Sequence, residues 1–262
     1  MSQIELIDHE SIRELRMARP PVNALDPGLL DAMHRALVES GHSQIRALIL
    51  SGAPNVFSAG LDLPALLELD QRQLTDFWKL MIETLRWLAM SPIPVLASIT
   101  GHSPAGGTVL TLFADYRIQA RGDYRIGLNE VRVGLPVPGF IYRALVRLIG
   151  VHPAERMVTQ GLLVSPDEAL RLGLIDEVVD PEEVNTRAVT LAQAWLTLPP
   201  LAFRETRNLA RRDFRSVFED DGEAERLAQL WFDPGVQTAL HECVQALKHR
   251  SAGARQARFR ST

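Results

Sequence analysis

The chain has 262 residues and a mass of 29.2 kDa, with 46% hydrophobic and 23% charged residues. At that length folding buries roughly three quarters of the open chain's surface, which excludes a disulfide-stapled mini-fold and a disordered chain. Lys plus Arg is 28 against 32 for Asp plus Glu, so the net charge of −4 lacks the basic surplus of a general nucleic-acid binder.

A single cysteine, Cys243, can form neither an intrachain disulfide nor a thiolate metal cluster. The first ten residues, MSQIELIDHE, carry no apolar run of the secretory type, and no stretch of eighteen apolar residues occurs. The expectation is a soluble, cytoplasmic globular protein with neither membrane nor nucleic acid as partner.

Residues 4–7 and 12–15 read as two short strands joined near 8–11. Asp26-Pro27 then opens a helix, with Asp suited to the N-cap and Pro to the first helical position. Its apolar face is Leu29, Leu30, Met33, Leu37 and Val38, and Gly41 stops it. Residues 46–52 are a continuous apolar run that reads as a buried strand. Similar runs at 94–100 and 116–120 follow helical stretches at 73–90 and 108–114. Strands separated by helices predict a parallel sheet with right-handed crossovers.

Beyond about residue 140 the spacing predicts helices over 141–149, 153–160, 166–171, 182–198, 201–218, 223–232 and 236–249. One short strand is expected within 174–179. The late helices are apolar for a surface layer, with Leu227, Leu230, Trp231, Phe232, Leu240 and Val244, as an oligomer contact would require. The basic tail over 248–260 reads as a frayed, solvated end.

Common signatures are missing: there is no G-x-G-x-x-G, no P-loop and no pair of histidines at zincin spacing. The segments 56–60 and 101–105 each lack a glycine of the nucleophile elbow. Two small-residue turns stand out instead, each just after a buried strand. They are Asn55-Val56-Phe57-Ser58-Ala59-Gly60-Leu61-Asp62-Leu63 and Gly101-His102-Ser103-Pro104-Ala105-Gly106-Gly107, the second leading into a helix. Small residues let a ligand approach the backbone, and unpaired N–H groups from two such loops are what an oxyanion hole requires. The same glycines also serve simple tight turns. In Tyr124-Arg125-Ile126-Gly127-Leu128-Asn129-Glu130, an acid lies beside an apolar stretch, where desolvation would raise its pKa toward that of a proton shuttle, although a lone Glu more often is a solvated loop charge.

Taken in order, these segments resemble the crotonase (enoyl-CoA hydratase/isomerase) superfamily over essentially the whole chain. Among its branches the resemblance is to the mitochondrial-type Δ3,Δ2-enoyl-CoA isomerases. It is carried by Ser-Ala-Gly-Leu-Asp-Leu at 58–63, Pro-Ala-Gly-Gly at 104–107, Asp-Tyr-Arg-Ile at 115–118 and Ile-Gly-Leu-Asn-Glu at 126–130. The stretches 152–156 and 173–179 match the family style as well.

The resemblance implies an α/β fold, a spiral of ββα units over 1–195, with an integrated helical C-terminal region over 196–262 that drives trimer formation, often as dimers of trimers. It implies an acyl-CoA thioester as substrate, with no metal and no redox cofactor. The thioester oxygen would accept from the N–H groups of Leu61 and Gly106. The adenine end of CoA would meet the backbone of Ser58, Ala59, Gly60, Leu61, Asp62 and Leu63, with Lys248 or Arg250 near the phosphates. Asn129 would line the acyl pocket beside the catalytic Glu130, and residues 135–140 would form part of the wall.

One departure bears on the reaction. Hydratases of this superfamily hold water between two glutamates, and the first of those positions is Val109 here. An apolar side chain neither orients water nor donates a proton. That favours a Δ3,Δ2-enoyl-CoA isomerase of unsaturated fatty-acid oxidation, in which one carboxyl moves a proton from C2 to C4. Hydration or another crotonase-type acyl-CoA reaction is the alternative, and a non-catalytic acyl-CoA-binding subunit is a third reading.

Overall fold

A computed structural model describes residues 3–218 and 222–249 and carries the backbone of the last helix on to 259. The chain opens with the hairpin β1 (Ile4–His9) and β2 (Ile12–Met17), followed by α1 (Pro27–Gly41). Three strand–strand–helix turns come next. The first is β3 (Ala47–Ser51), β4 (Asn55–Val56), α2 (Leu63–Leu67) and α3 (Gln71–Met90). The second is β5 (Val95–Ile99), β6 (Gly101–Pro104) and α4 (Gly106–Leu112). The third is β7 (Tyr116–Ala120), β8 (Ile126–Gly127), a 3-10 turn over Glu130–Val133 and α5 (Gly139–Ile149).

The remainder is mostly helical. It runs through α6 (Val151–Gln160), β9 (Leu163–Val164), α7 (Pro166–Leu172), β10 (Glu177–Val179) and α8 (Val184–Leu196). The last helices are α9 (Pro200–Ala210), α10 (Phe214–Val217), α11 (Glu223–Trp231) and α12 (Pro234–Phe259).

The first strand of each turn enters a six-stranded sheet of order β1-β2-β3-β5-β7-β10, parallel except for the hairpin. Every residue of β3 and β5 is buried, as expected of strands covered on both faces. One face carries Ile12, Ile49, Leu96 and Ile118 against Val184, Ala188 and Ala192 of α8. The other face carries Leu48, Leu50, Val95 and Ala97 into the main core with α1 and α3.

The second strand of each turn enters a smaller sheet of order β4-β6-β8-β9. Gly101 pairs with Asn55 across that sheet. A Cβ at Gly101 would lie 2.0 Å from the Asn55 carbonyl carbon, so only glycine permits this approach. The parallel core strands follow the apolar runs, as expected. Most of the small sheet was not anticipated, because two-residue strands are too short to show a period.

Three expectations need correction. The span 201–218 is two helices, broken at Arg211, whose side chain turns back to donate to the carbonyls of Leu88, Ala89 and Phe113. The tail is not frayed in backbone: α12 continues to Phe259. Of the apolar residues assigned to a surface layer, Leu227, Trp231, Leu240 and Val244 are buried within the chain itself, leaving Leu230 and Phe232 exposed. They are buried because α11 packs along α3, and α12 against α2 and the 3-10 turn. Among the described residues no helix is long and apolar enough to cross a membrane.

Candidate active site

The two small-residue loops meet. Gly60 has φ +86°, and a Cβ there would stand 3.0 Å from the nitrogen of Gly106. A Cβ on Gly107 would stand 2.6 Å from the carbonyl oxygen of Ser58. Glycine on both sides thus brings two backbones into direct contact.

Each loop is anchored from behind. The segment 22–25 runs alongside the first loop: Ala59 N–H donates to Val22 O, Leu25 N–H to Gly60 O, and Asp62 N–H to Leu25 O. Asn23, buried and at φ +50°, donates its amide to Phe57 O and accepts the Ser58 hydroxyl on its own carbonyl. Arg19 binds Asp26 and Asp62. The second loop is tied to β8 by Ala105 N–H donating to Gly127 O, with Ala105 held at φ +48°. A non-glycine residue there is strained, and the strain sits immediately before Gly106.

Among the described residues, neither the Leu61 nor the Gly106 N–H has a protein acceptor. Both residues line one cavity of about 40 Å3, together with Trp78, Met81, Val109, Glu130, Leu135, Pro136, Pro138, Ile141, Leu227, Leu230 and Trp231. Leu135, Pro136 and Pro138 come from the stretch expected to form the wall. The contributions of α3 and α11 were not anticipated.

Among the described residues of this lining, Glu130 is the only titratable side chain. It opens the 3-10 turn, which ends at Gly134 (φ +84°), where a Cβ would collide with Ala239 of α12 at 2.4 Å. The last helix thereby braces the turn that carries the acid. Burial pushes the Glu130 carboxyl up to about 7, against a smaller lowering by its own backbone N–H, and its Oε2 has no partner among the described residues. Val109 is buried and offers nothing to water.

The other expected site residues lie nearby, with the following contacts. The Ser58 hydroxyl is fully buried and spent on Asn23 O and the Gly60 N–H. Asp62 caps α2 by accepting from Ala65 N–H, and Leu63 points into the core. Ala59 is exposed beside them. Asn129 precedes Glu130 with a buried, unpartnered Oδ1 but is not part of the lining. Lys248 is exposed on α12, and the side chain of Arg250 lies outside the described residues. Among the described residues no cluster of His, Cys, Asp and Glu is arranged to hold a metal.

Two backbone N–H groups without a protein acceptor among the described residues and one buried carboxyl thus border a single cavity, the parts that receiving a carbonyl oxygen and moving a proton at a neighbouring carbon require. Comparison with known proteins agrees with that chemistry. The enoyl-CoA hydratase/isomerase profile matches residues 8–250. Rat mitochondrial enoyl-CoA delta isomerase 1 is 31% identical over 252 residues, covering 94% of this chain and 87% of the relative. A probable enoyl-CoA hydratase of Mycobacterium avium is 34% identical over 215 residues, 82% of this chain and 81% of that one. The crystal structure of human mitochondrial delta3-delta2-enoyl-CoA isomerase superposes with a TM-score of 0.89 at 30% identity, covering 95% and 99% of the two chains.

Proposed function

Because the chain belongs to the enoyl-CoA hydratase/isomerase family, we propose that it moves the double bond of a 3-enoyl-CoA into conjugation with the thioester, yielding the 2-trans-enoyl-CoA. The Glu130 carboxylate removes a proton from C2. The electron pair delocalises through C3–C4 and onto the thioester oxygen, which the N–H groups of Leu61 and Gly106 receive. The same carboxyl then returns its proton at C4, leaving the double bond between C2 and C3. Substrate and product differ only in the position of that bond, so the reaction consumes no oxidant or reductant.

The observation that carries this reading is that Glu130 is the only titratable side chain among the described residues that line the cavity. A carboxyl near 7 ionises readily at neutral pH yet remains a strong enough base and acid to work in both directions. Val109 is the observation against hydration, although one relative is named a probable hydratase. An attacking water would have Glu130 alone to hold it. We further propose a homotrimer or dimer of trimers, for which exposed Leu198, Leu201 and Leu209 supply apolar surface. A cytoplasmic location is in keeping with the single cysteine.

The test compares isomerisation of 3-hexenoyl-CoA with hydration of 2-hexenoyl-CoA, in the wild type and in Glu130→Gln. Isomerisation should dominate and fall about 10² to 10⁴-fold in the variant. Hydration as fast as isomerisation, or an active variant, would refute the reading.

A further inference from the structure

The Glu130 carboxyl receives a hydrogen bond from its own backbone N–H, and its Oε2 has no partner among the described residues. No other side chain donates to it, so its direction follows the backbone of the 3-10 turn Glu130–Val133. Whatever fixes that turn therefore aims the base.

Ala239 of α12 lies against Gly134 at the end of the turn. The other hold comes from within the turn, two residues after the acid. Arg132 Nε donates to the carbonyl of Gln160 at 3.0 Å and to that of Gly161 at 2.7 Å, the last residue of α6 and the residue that ends it. Carbonyls at a helix C-terminus have no donor within the helix, so they are open to this bond. Gly161 makes room for the arginine stem: a Cβ there would stand 2.7 Å from Arg132 Cγ and 3.1 Å from Cδ. Among the described residues no carboxylate pairs with Arg132, so these two carbonyls are its side-chain partners. A cap needed by α6 alone could come from any neighbouring segment. This one starts from the turn that carries the acid.

We propose, resting on the isomerase reading, that Arg132 is a positioning residue for the reaction: by tying the Glu130 turn to the C-terminal end of α6, it holds the carboxyl where it can exchange protons with C2 and C4. Arg132 is not part of the cavity lining and acts through Glu130. The tether is made by Nε, the fourth atom of the side chain, so it requires an N–H at that place rather than a positive charge. Glutamine carries its amide nitrogen at the same fourth place, and methionine carries a methyl there.

Arg132→Met and Arg132→Gln therefore separate the tether from the charge. With 3-hexenoyl-CoA, Arg132→Met should lower kcat about tenfold and leave KM within about twofold, as a displaced base would. Arg132→Gln should stay within about threefold of the wild-type kcat. In a Glu130→Gln background, Arg132→Met should bring no further loss. A cap serving α6 alone would lower Tm in Arg132→Met and leave kcat unchanged, which would overturn the proposal. So would Arg132→Gln falling as far as Arg132→Met, or the loss persisting without Glu130. Entry of solvent deuterium at C2 of 3-hexenoyl-CoA, followed by NMR, reports proton removal apart from isomerisation. A wild type that exchanges C2 protons without isomerising would refute the isomerase reading, and the same contrast between the variants, read on exchange, would then decide the role of Arg132. A wild type that does neither would overturn both.

Discussion

At the C-terminal end of α4, Asp115 is held by two arginines; at the N-terminal end, Glu130 faces a cavity with none. Asp115 accepts two hydrogen bonds at 2.8 Å from Arg207 and one at 3.0 Å from Arg211, and a fourth from Val95 N–H. The same arginines reach Ser91 O and Phe113 O, so they close the carbonyl ends of both α3 and α4. Burial lowers Arg211 to about 10, partly offset by Asp115. Glu130 is similarly buried but pairs with no cation among the described residues, and its carboxyl rises to about 7. The two acids therefore take opposite parts: pairing makes Asp115 a clamp that fixes the helix, and isolation leaves Glu130 with the raised pKa that the proposed proton shuttle requires.

Breaking the clamp should have the largest effect on folding. Asp115→Ala leaves Arg207 and Arg211 buried without their carboxylate, and denaturant unfolding should show a loss of about 3–5 kcal/mol. A loss below about 1 kcal/mol would mean that the arginines are satisfied by carbonyls alone. Gly107→Ala acts between the two ends, pressing a methyl onto Ser58 O. Unfolding should report about 1–3 kcal/mol, with a further fall in kcat as the two loops part.

The unpaired end can be sharpened by pH. The kcat/KM for a 3-enoyl-CoA should rise tenfold per unit below a midpoint near 7 and level off above it, because the ionised carboxyl is the base. A flat profile between pH 5 and 9 would separate the chemistry from Glu130. The smallest effect is expected of Ala105→Gly, which relieves φ +48° at the loop and should raise stability by about 1 kcal/mol. Destabilisation of that size would show that Ala105 is not strained.

These two ends differed in how much of them the residues announced. Glu130 was legible through the resemblance carried by Ile-Gly-Leu-Asn-Glu at 126–130, since an acid beside an apolar stretch reads on its own more often as a solvated loop charge. The parallel core was legible directly, since β3, β5 and β7 are continuous apolar runs. The clamp was not. Arg207 and Arg211 stand one helical turn apart and look like an exposed face until the fold brings Asp115 between them. Trp78 and Trp231 were hidden differently. Each lies in an apolar stripe, Leu74-Trp78-Met81-Leu85 and Leu227-Trp231, and periodicity reports a buried face without saying whether it meets core or cavity.

The most direct test of the contrast measures Glu130→Gln twice at pH 8, for unfolding free energy and for turnover of 3-hexenoyl-CoA. A carboxyl raised from 4.5 to about 7 by folding penalises the folded state once ionised, a cost that grows between those values and is absent below pH 4.5. The variant should therefore be about 3 kcal/mol more stable than the wild type at pH 8, with no advantage near pH 4, and its turnover should fall by at least about 100-fold. A variant less stable than the wild type at pH 8, or one that still turns over at the wild-type rate, would contradict the assignment of Glu130 as an isolated catalytic acid.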